Sequence, residues 1–379
     1  MFLIKGILIF FLLGNAHYLW QSFSRGANLI DFHGQWAICA HVLRGADPYQ
    51  AIGLEPPIFD DVGVIPNGWG TSPWGCLLGN IFYPGYLPLD AAQNYFFALN
   101  IIILLLTVMI FLDRMISTVP RGALILFALV MITSPNFWLS VMQGNCGGMI
   151  CCLLIVACLI HDDHPIISGV ALAIAMIKPQ TALIICLAFL IAKKIFPIIV
   201  AASIDLIAWF STASLIDRTP IGLMEEFFSS PIGLGARRGI LTLWSDNLPS
   251  ADWVMPLSML IGIVYVIALQ TRFDRAPTVG AMKFAPFLPA FAAANFWSYA
   301  WANERFTLTA LMFLALWLLV RSKDALERWT LALSMAVCNF YTTLVIELHD
   351  LIEIISPTVD PSSDYTSWHQ SITILELIF

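Results

Sequence analysis

Charge is what this chain has least of. Of its 379 residues only 11% are Asp, Glu, Lys or Arg, against 59% hydrophobic, and the mean hydropathy is +0.83. Soluble domains carry about a quarter charged residues, so this chain cannot cover a globular surface with polar groups. One or two water-soluble domains, which the length alone would suit, are excluded. The net charge of −7 is modest and argues against nucleic acid as a partner. Metal spacing is missing too: no CxxC occurs and no paired Cys/Cys…His/His zinc pattern, which argues against a zinc site. Six of the eight cysteines (Cys146, Cys151, Cys152, Cys158, Cys186 and Cys338) lie in or beside apolar runs, where Cys behaves as a small hydrophobe. Only Cys39 and Cys76 stand firmly outside the expected spans, and a disulfide between them is not expected. There is no long-period repeat and no low-complexity tract. The 13 Trp, 26 Phe and 21 Pro suit broken helices with interfacial anchors better than smooth coiled coils.

The apolar residues fall in runs of the length a membrane requires, roughly 17–25 residues for about 30 Å of hydrocarbon. Clear candidates occupy 3–20, 91–112, 121–141, 195–216, 253–271, 284–300, 306–320 and 329–347, with three more, shorter, at 147–160, 165–177 and 180–192. The last two flank Lys178-Pro179-Gln180 and read as a helical pair that turns near one interface. The run at 3–20 has Lys5 before its apolar core and continues to Trp20 without a small-x-small cleavage site, so it reads as a retained first span. A further stretch, 73–88, is interrupted by Gly75, Gly79, Pro84, Gly85 and Pro88.

Charge settles whether 73–88 crosses, because cytoplasmic loops collect Lys and Arg. With 73–88 outside and the N-terminus inside, eleven spans leave 11 cations inside and 7 outside. If 73–88 spans, every later loop flips and the split becomes 6 against 12. The expected fold is therefore an all-α polytopic membrane protein of about eleven transmembrane helices, with juxtamembrane helices in the first outer loop. Residues 1–347 form the membrane module, 21–90 its first outer loop, and 348–379 an outer tail. Eighteen of the 25 acidic residues face outward in this arrangement, and the inner loops are too short to build a nucleotide-binding domain. The chemistry is expected on the outer face.

Four places there carry polar groups of use. The first outer loop begins Asp31-Phe32-His33-Gly34-Gln35-Trp36, and residues 32–43 alternate at helical spacing with Trp36, Cys39, Ala40 and Leu43 on one side, predicting an interfacial amphipathic helix. Asp31 stands at its start, where a carboxylate serves either as a helix cap or as a functional group. Gln143-Gly144-Asn145 is rich in hydrogen-bonding capacity, and the same residues suit a tight interhelical turn. Lys178 sits between two short apolar helices. There it either meets an anion or snorkels to headgroup phosphates. Arg237-Arg238 and Asn303-Glu304-Arg305 bring guanidinium groups suited to bidentate phosphate binding, or to lipid headgroups.

These motifs resemble a known family. Asp31 at the head of the first outer loop, GADPY at 45–49 and SPWGCLLGNIFYPGYLPL at 72–89 look like the polyprenyl-phosphate-dependent glycosyltransferases of the C-type superfamily. MQGNCGG at 142–148 followed by GVALAIAMIKPQTALI at 169–184 is similar to the family 87 α-mannosyltransferases, in which a Gly-Gln-x-Asn-like segment precedes Lys-Pro-Gln. The likeness runs from the N-terminus to about residue 195, with a further echo in FWSYAWANER at 296–305. Two departures stand out: the order here is Gln-Gly-Asn, and Asn303 and Glu304 occupy a loop in which family members often carry histidine.

The resemblance implies a mannosyltransferase of the inner (plasma) membrane, with its site facing the periplasm or exterior. A polyprenyl-phosphate sugar would be the donor and a glycolipid or glycan the acceptor. Asp31 would be the general base, Lys178 the ligand of the donor phosphate, and Gln143 and Asn145 contacts to sugar or phosphate. Lys178 together with Arg237, Arg238 or Arg305 would stabilise the departing phosphate, while Asp31 takes the acceptor hydroxyl's proton. A lone carboxylate base without a partner nucleophile predicts single displacement with inversion. No DxD follows the first span, which reads Asp31-Phe32-His33, so no metal or other cofactor is expected. The rival readings are a transporter or flippase of a lipid-linked sugar and a non-catalytic assembly subunit.

Overall fold

The computed structural model describes residues 29–65, 72–116 and 131–229 apart from position 134, and the isolated positions 125, 128, 129, 264, 267 and 287. The first span, the four spans beyond residue 252, the tail 348–379 and the candidate residues Arg237, Arg238, Asn303, Glu304 and Arg305 lie outside the described residues. By contact the chain divides into two compact units, one of residues 27–107 and 140–237, the other of 1–26, 108–139 and 238–379.

Every regular element among the described residues is helical, with a single isolated bridge pairing Ile52 and Ile65. The order is α1 (Ile30–Leu43), α2 (Pro48–Ala51), α3 (Pro73–Leu78), a 3₁₀ turn (Gly79–Ile81), α4 (Leu89–Met115), α5 (Pro135–Met142), α6 (Gly147–Ile160), α7 (Pro165–Ala175), α8 (Pro179–Ile191), α9 (Ile195–Leu215) and α10 (Pro220–Ser229). Proline explains many of these starts. Six of the described helices begin on Pro48, Pro73, Pro135, Pro165, Pro179 and Pro220; at that position the ring fixes φ and the missing N–H had no intrahelical acceptor to lose.

Two helices are long and apolar enough to cross a membrane, Leu89–Arg114 and Ile195–Leu215, and most of each faces outward. The 14, 11 and 13 residues of α6, α7 and α8 make shorter apolar rods, each of roughly 16–21 Å at 1.5 Å per residue. Of the expected span at 121–141 much lies outside the described residues; at its end Thr133 is a turn and α5 starts at Pro135, a residue suited to the first position of a helix.

Helices α6 and α8 point the same way, with a polar link at each end. At their N-terminal ends Lys178 meets Asn145, with Nζ donating to Oδ1 at 3.0 Å. Just past their C-terminal ends Lys194 meets Asp162 at 2.6 Å. The two polar ends are therefore about 20 Å apart, one helix length. The longer α9 packs on α7, α8 and α3.

Helix α1 corrects the sequence reading. Phe32, Gly34 and Trp36 through Val42 are all buried, His41 included, so the helix is enclosed on nearly every side rather than lying half in an interface. The covering comes from the segment at 72–88, which places α3 and the 3₁₀ turn against α1. Trp36 Nε1 donates to Leu87 O at 3.1 Å. A Cβ on Gly85 would stand 2.4 Å from Ala40 N, a contact only glycine permits. Asn80 closes the turn, its Oδ1 accepting from Gly85 N–H at 3.0 Å. Segment 73–88, ambiguous in its broken pattern, folds as a short helix and a 3₁₀ turn that form a platform on α1. Cys39 and Cys76 are both buried as free thiols, and burial pushes the Cys76 thiol up to about 12.

Candidate active site

Asp31 is the second residue of α1, and the way that helix begins decides what the carboxylate does. The N-cap position is held by Leu29 in the left-handed region, φ 42, and no side chain caps the helix. The helix's unpaired N–H groups instead use the turn after α5: Leu29 N–H donates to Met142 O at 3.1 Å and Asp31 N–H to Gln143 O at 3.0 Å. Backbone carbonyls of that turn thus meet N–H groups at the start of α1, and Asp31 stands one residue inside the helix. Its carboxylate is left to face the side chain two residues further along that turn.

That side chain is Asn145. Its Nδ2 donates to Asp31 Oδ2 at 2.6 Å. Its Oδ1 accepts from Lys178 Nζ at 3.0 Å and from Gly147 N–H at 2.9 Å. Two donors on Oδ1 fix which way the amide points, since the opposite orientation would set N–H against N–H. One buried amide thus links a half-buried carboxylate to a half-buried ammonium. Asp31, Asn145 and Lys178 are 114 and 33 residues apart in sequence along the two links.

The turn itself needs Gly144. Its φ is +74, and a Cβ there would lie 2.4 Å from Phe32 Cβ and 2.7 Å from Phe32 N. Interhelical turn and functional segment, separate alternatives in the sequence, are here one structure. Gln143 contributes its backbone carbonyl to Asp31, and its own side chain is half-buried. Lys178 occupies the N-cap of α8, between the C-cap of α7 at Met176 and Pro179. Helices α6 and α8 both begin at this cluster, so the positive ends of two helix dipoles are directed at it.

Two aromatic residues that the sequence reading did not single out hold these turns. Tyr83 O–H donates to Gly144 O at 3.2 Å, and Tyr83 Oη accepts from Cys146 N–H at 2.8 Å. The ring stacks on Phe96 with centroids 5.5 Å apart and meets Phe32 edge-on at 5.4 Å. Burial first, and the nearby Cys146, raise the phenol well above its ordinary range, so it stays a donor. Trp74 Nε1 donates to Met176 O at 2.7 Å, two residues before Lys178. The signal available in sequence was an aromatic residue beside Pro-Gly in FYPGY, and a Trp directly after the helix-starting Pro73.

A second group of ion pairs lies further along the first loop. Arg218 Nε meets Asp47 Oδ2 at 3.2 Å and its second nitrogen meets Glu226 at 3.4 Å, tying α10 to α2. Burial, then Asp47, pushes the Glu226 carboxyl upward.

Helices broken by proline surround a link of half-buried acid, buried amide and half-buried ammonium, and two of the described helices are long and apolar enough to cross a membrane. A family model described as Glycosyltransferase family 87 matches residues 76–282, more than half of the chain, and the chain belongs to that family. The match begins at Cys76 and so omits Asp31; it contains Asn145, Lys178, Arg237 and Arg238 and stops short of Asn303. It also runs well beyond residue 195, where the motif likeness fades. No curated protein and no solved structure matches.

Proposed function

We propose that this glycosyltransferase moves a mannosyl unit from a polyprenyl-phosphate donor to a lipid-linked or glycan acceptor on the outer face of the plasma membrane, with inversion and without a metal. The observation that carries the proposal is the link Asp31–Asn145–Lys178, a base and a cation held by one oriented amide. In the proposed reaction the acceptor oxygen attacks the anomeric carbon as its proton passes to Asp31, and the bond from that carbon to the phosphate oxygen breaks. The negative charge that develops on the lipid phosphate is met by Lys178 and by the N-terminal ends of α6 and α8. Arg237, Arg238 and Arg305 complete the phosphate site in this reading, and Gln143, Asn303 and Glu304 contact the sugar. Asn145 in this reading also orients the base and spaces it from the cation, because one of its two N–H groups and both acceptor directions are engaged by Asp31, Lys178 and Gly147.

The test is transfer in proteoliposomes, with radiolabelled polyprenyl-phosphate mannose as donor and a bacterial glycolipid extract as acceptor. Asp31→Asn should lower the rate by about 10²–10⁴-fold, and a chelator should leave the wild-type rate unchanged. A wild-type rate in Asp31→Asn would remove the base. Loss of activity with chelator would refute the metal-free mechanism, and label that crosses the bilayer without being transferred would favour a flippase.

A further inference from the structure

We propose that Tyr83 is a positioning residue for glycosyl transfer, acting through Asn145. The proposal rests on the reading of Asp31 and Lys178 given above. Its hydroxyl grips the peptide units on both sides of Asn145, donating to the carbonyl of Gly144 and accepting from the N–H of Cys146. A single oxygen therefore sets the spacing of the two backbone groups between which the amide side chain springs. The hydroxyl is buried, with the residue 1% exposed, so water does not replace it when it is removed. The ring is clamped independently by Phe96 and Phe32. Phe32 is also the residue against which Gly144 packs and the direct neighbour of Asp31. Base, amide turn and tyrosine thus share one aromatic cluster, and a displacement of the turn changes the Asp31–Asn145 and Asn145–Lys178 distances together.

Positioning of this kind acts on the rate at saturation. A misplacement of about 1 Å away from the reacting atoms is enough to cost on the order of 10²-fold. Loss of one hydroxyl, with the ring retained, should cost less. Tyr83→Phe is expected to lower kcat about 10-fold, with the donor KM changed less than twofold. The change keeps both ring contacts, so thermal unfolding in detergent should stay close to wild type.

The distinguishing measurement is a double-mutant cycle with Asn145→Ala in the same proteoliposome assay. If Tyr83 works through the amide, Tyr83→Phe has little further effect once Asn145 is alanine. A merely structural role would lower the rate by the same factor in both backgrounds, and that result, or a wild-type kcat in Tyr83→Phe, would overturn the proposal. Tyr95→Phe is the control, since its hydroxyl donates to Ile81 O on an exposed surface, and it should keep the wild-type rate. Should Tyr83→Phe fail to fold, 3,5-difluorotyrosine at position 83 keeps the ring and weakens the oxygen as an acceptor; a wild-type kcat in that protein would equally overturn the proposal. The outcomes separate from those of the parent reading: full activity in Asp31→Asn removes the base itself, whereas an inactive Asp31→Asn beside an unaffected Tyr83→Phe removes only the positioning role.

Discussion

At Gly144 the turn pays for its closeness to α1 in backbone conformation. An L-residue held in the left-handed region costs about 1–2 kcal/mol, and an added methyl that overpacks a filled site costs typically about 1–3 kcal/mol. Gly144→Ala meets both, because its Cβ would overlap the backbone and Cβ of Phe32 rather than the end of a flexible side chain. The expected result is a destabilisation of about 2–5 kcal/mol by these two effects, seen as a Tm lowered by several degrees in detergent, together with a loss of transfer. An unchanged Tm would mean that the turn relaxes away from α1. At this scale the sequence showed which residues carry polar chemistry, since Asp31, Asn145 and Lys178 stand out in apolar surroundings. It did not show how they are paired. The amide of Asn145 read as a substrate contact because its two partners lie far away in sequence, and only the approach of Leu29 and Asp31 N–H to the α5 turn brings them within reach.

Among the elements, breaks were easier to read than faces. Proline marks the starts of α7 and α8 within two residues of the expected apolar runs, and Pro135 starts α5 inside the 121–141 run. The face of α1 was misread because His33, Gln35 and His41 look polar in sequence, yet His41 is 1% exposed with its Nδ1 paired to Ala37 O at 2.7 Å. A local hydrogen bond of this kind lets a polar side chain enter a packed helix. The platform at 72–88 carries the element-scale prediction. Trp74 holds Met176 O and through it the turn presenting Lys178. A net hydrogen bond contributes roughly 1 kcal/mol, so Trp74→Phe should raise the donor KM about 3–10-fold, with kcat changed little because Asn145 and Asp31 keep their link. Steady-state kinetics over a donor titration checks this; a fall in kcat at constant KM would assign Trp74 to the base rather than to the phosphate.

For the whole molecule, the charge count and the helix geometry meet in α6 and α8. The count assigns 142–146 and 178 to the outside and 161–164 and 193–194 to the inside, while the structure puts Asn145 with Lys178 at one end of both helices and Asp162 with Lys194 at the other. The eleven-span topology follows as a proposal that accessible cysteines can test. The native thiols favour the experiment: Cys39, Cys76, Cys146, Cys151, Cys152 and Cys158 are buried, so replacement by serine is needed only at Cys186, which is half-buried, and at Cys338, outside the described residues. Asp60 and Asp163 are both exposed. In intact spheroplasts a membrane-impermeant maleimide should label Asp60→Cys, and should reach Asp163→Cys only after permeabilisation. The choice of positions matters, because Asp60 precedes 73–88 and stays outside under either topology, while Asp163 changes sides if that segment crosses. Labelling of Asp163→Cys in intact spheroplasts would therefore turn the platform into a span. It would also carry Asn145 and Lys178 to the cytoplasmic side, leaving Asp31, 2.6 Å from Asn145, on the wrong side of 73–88 for the link the structure contains.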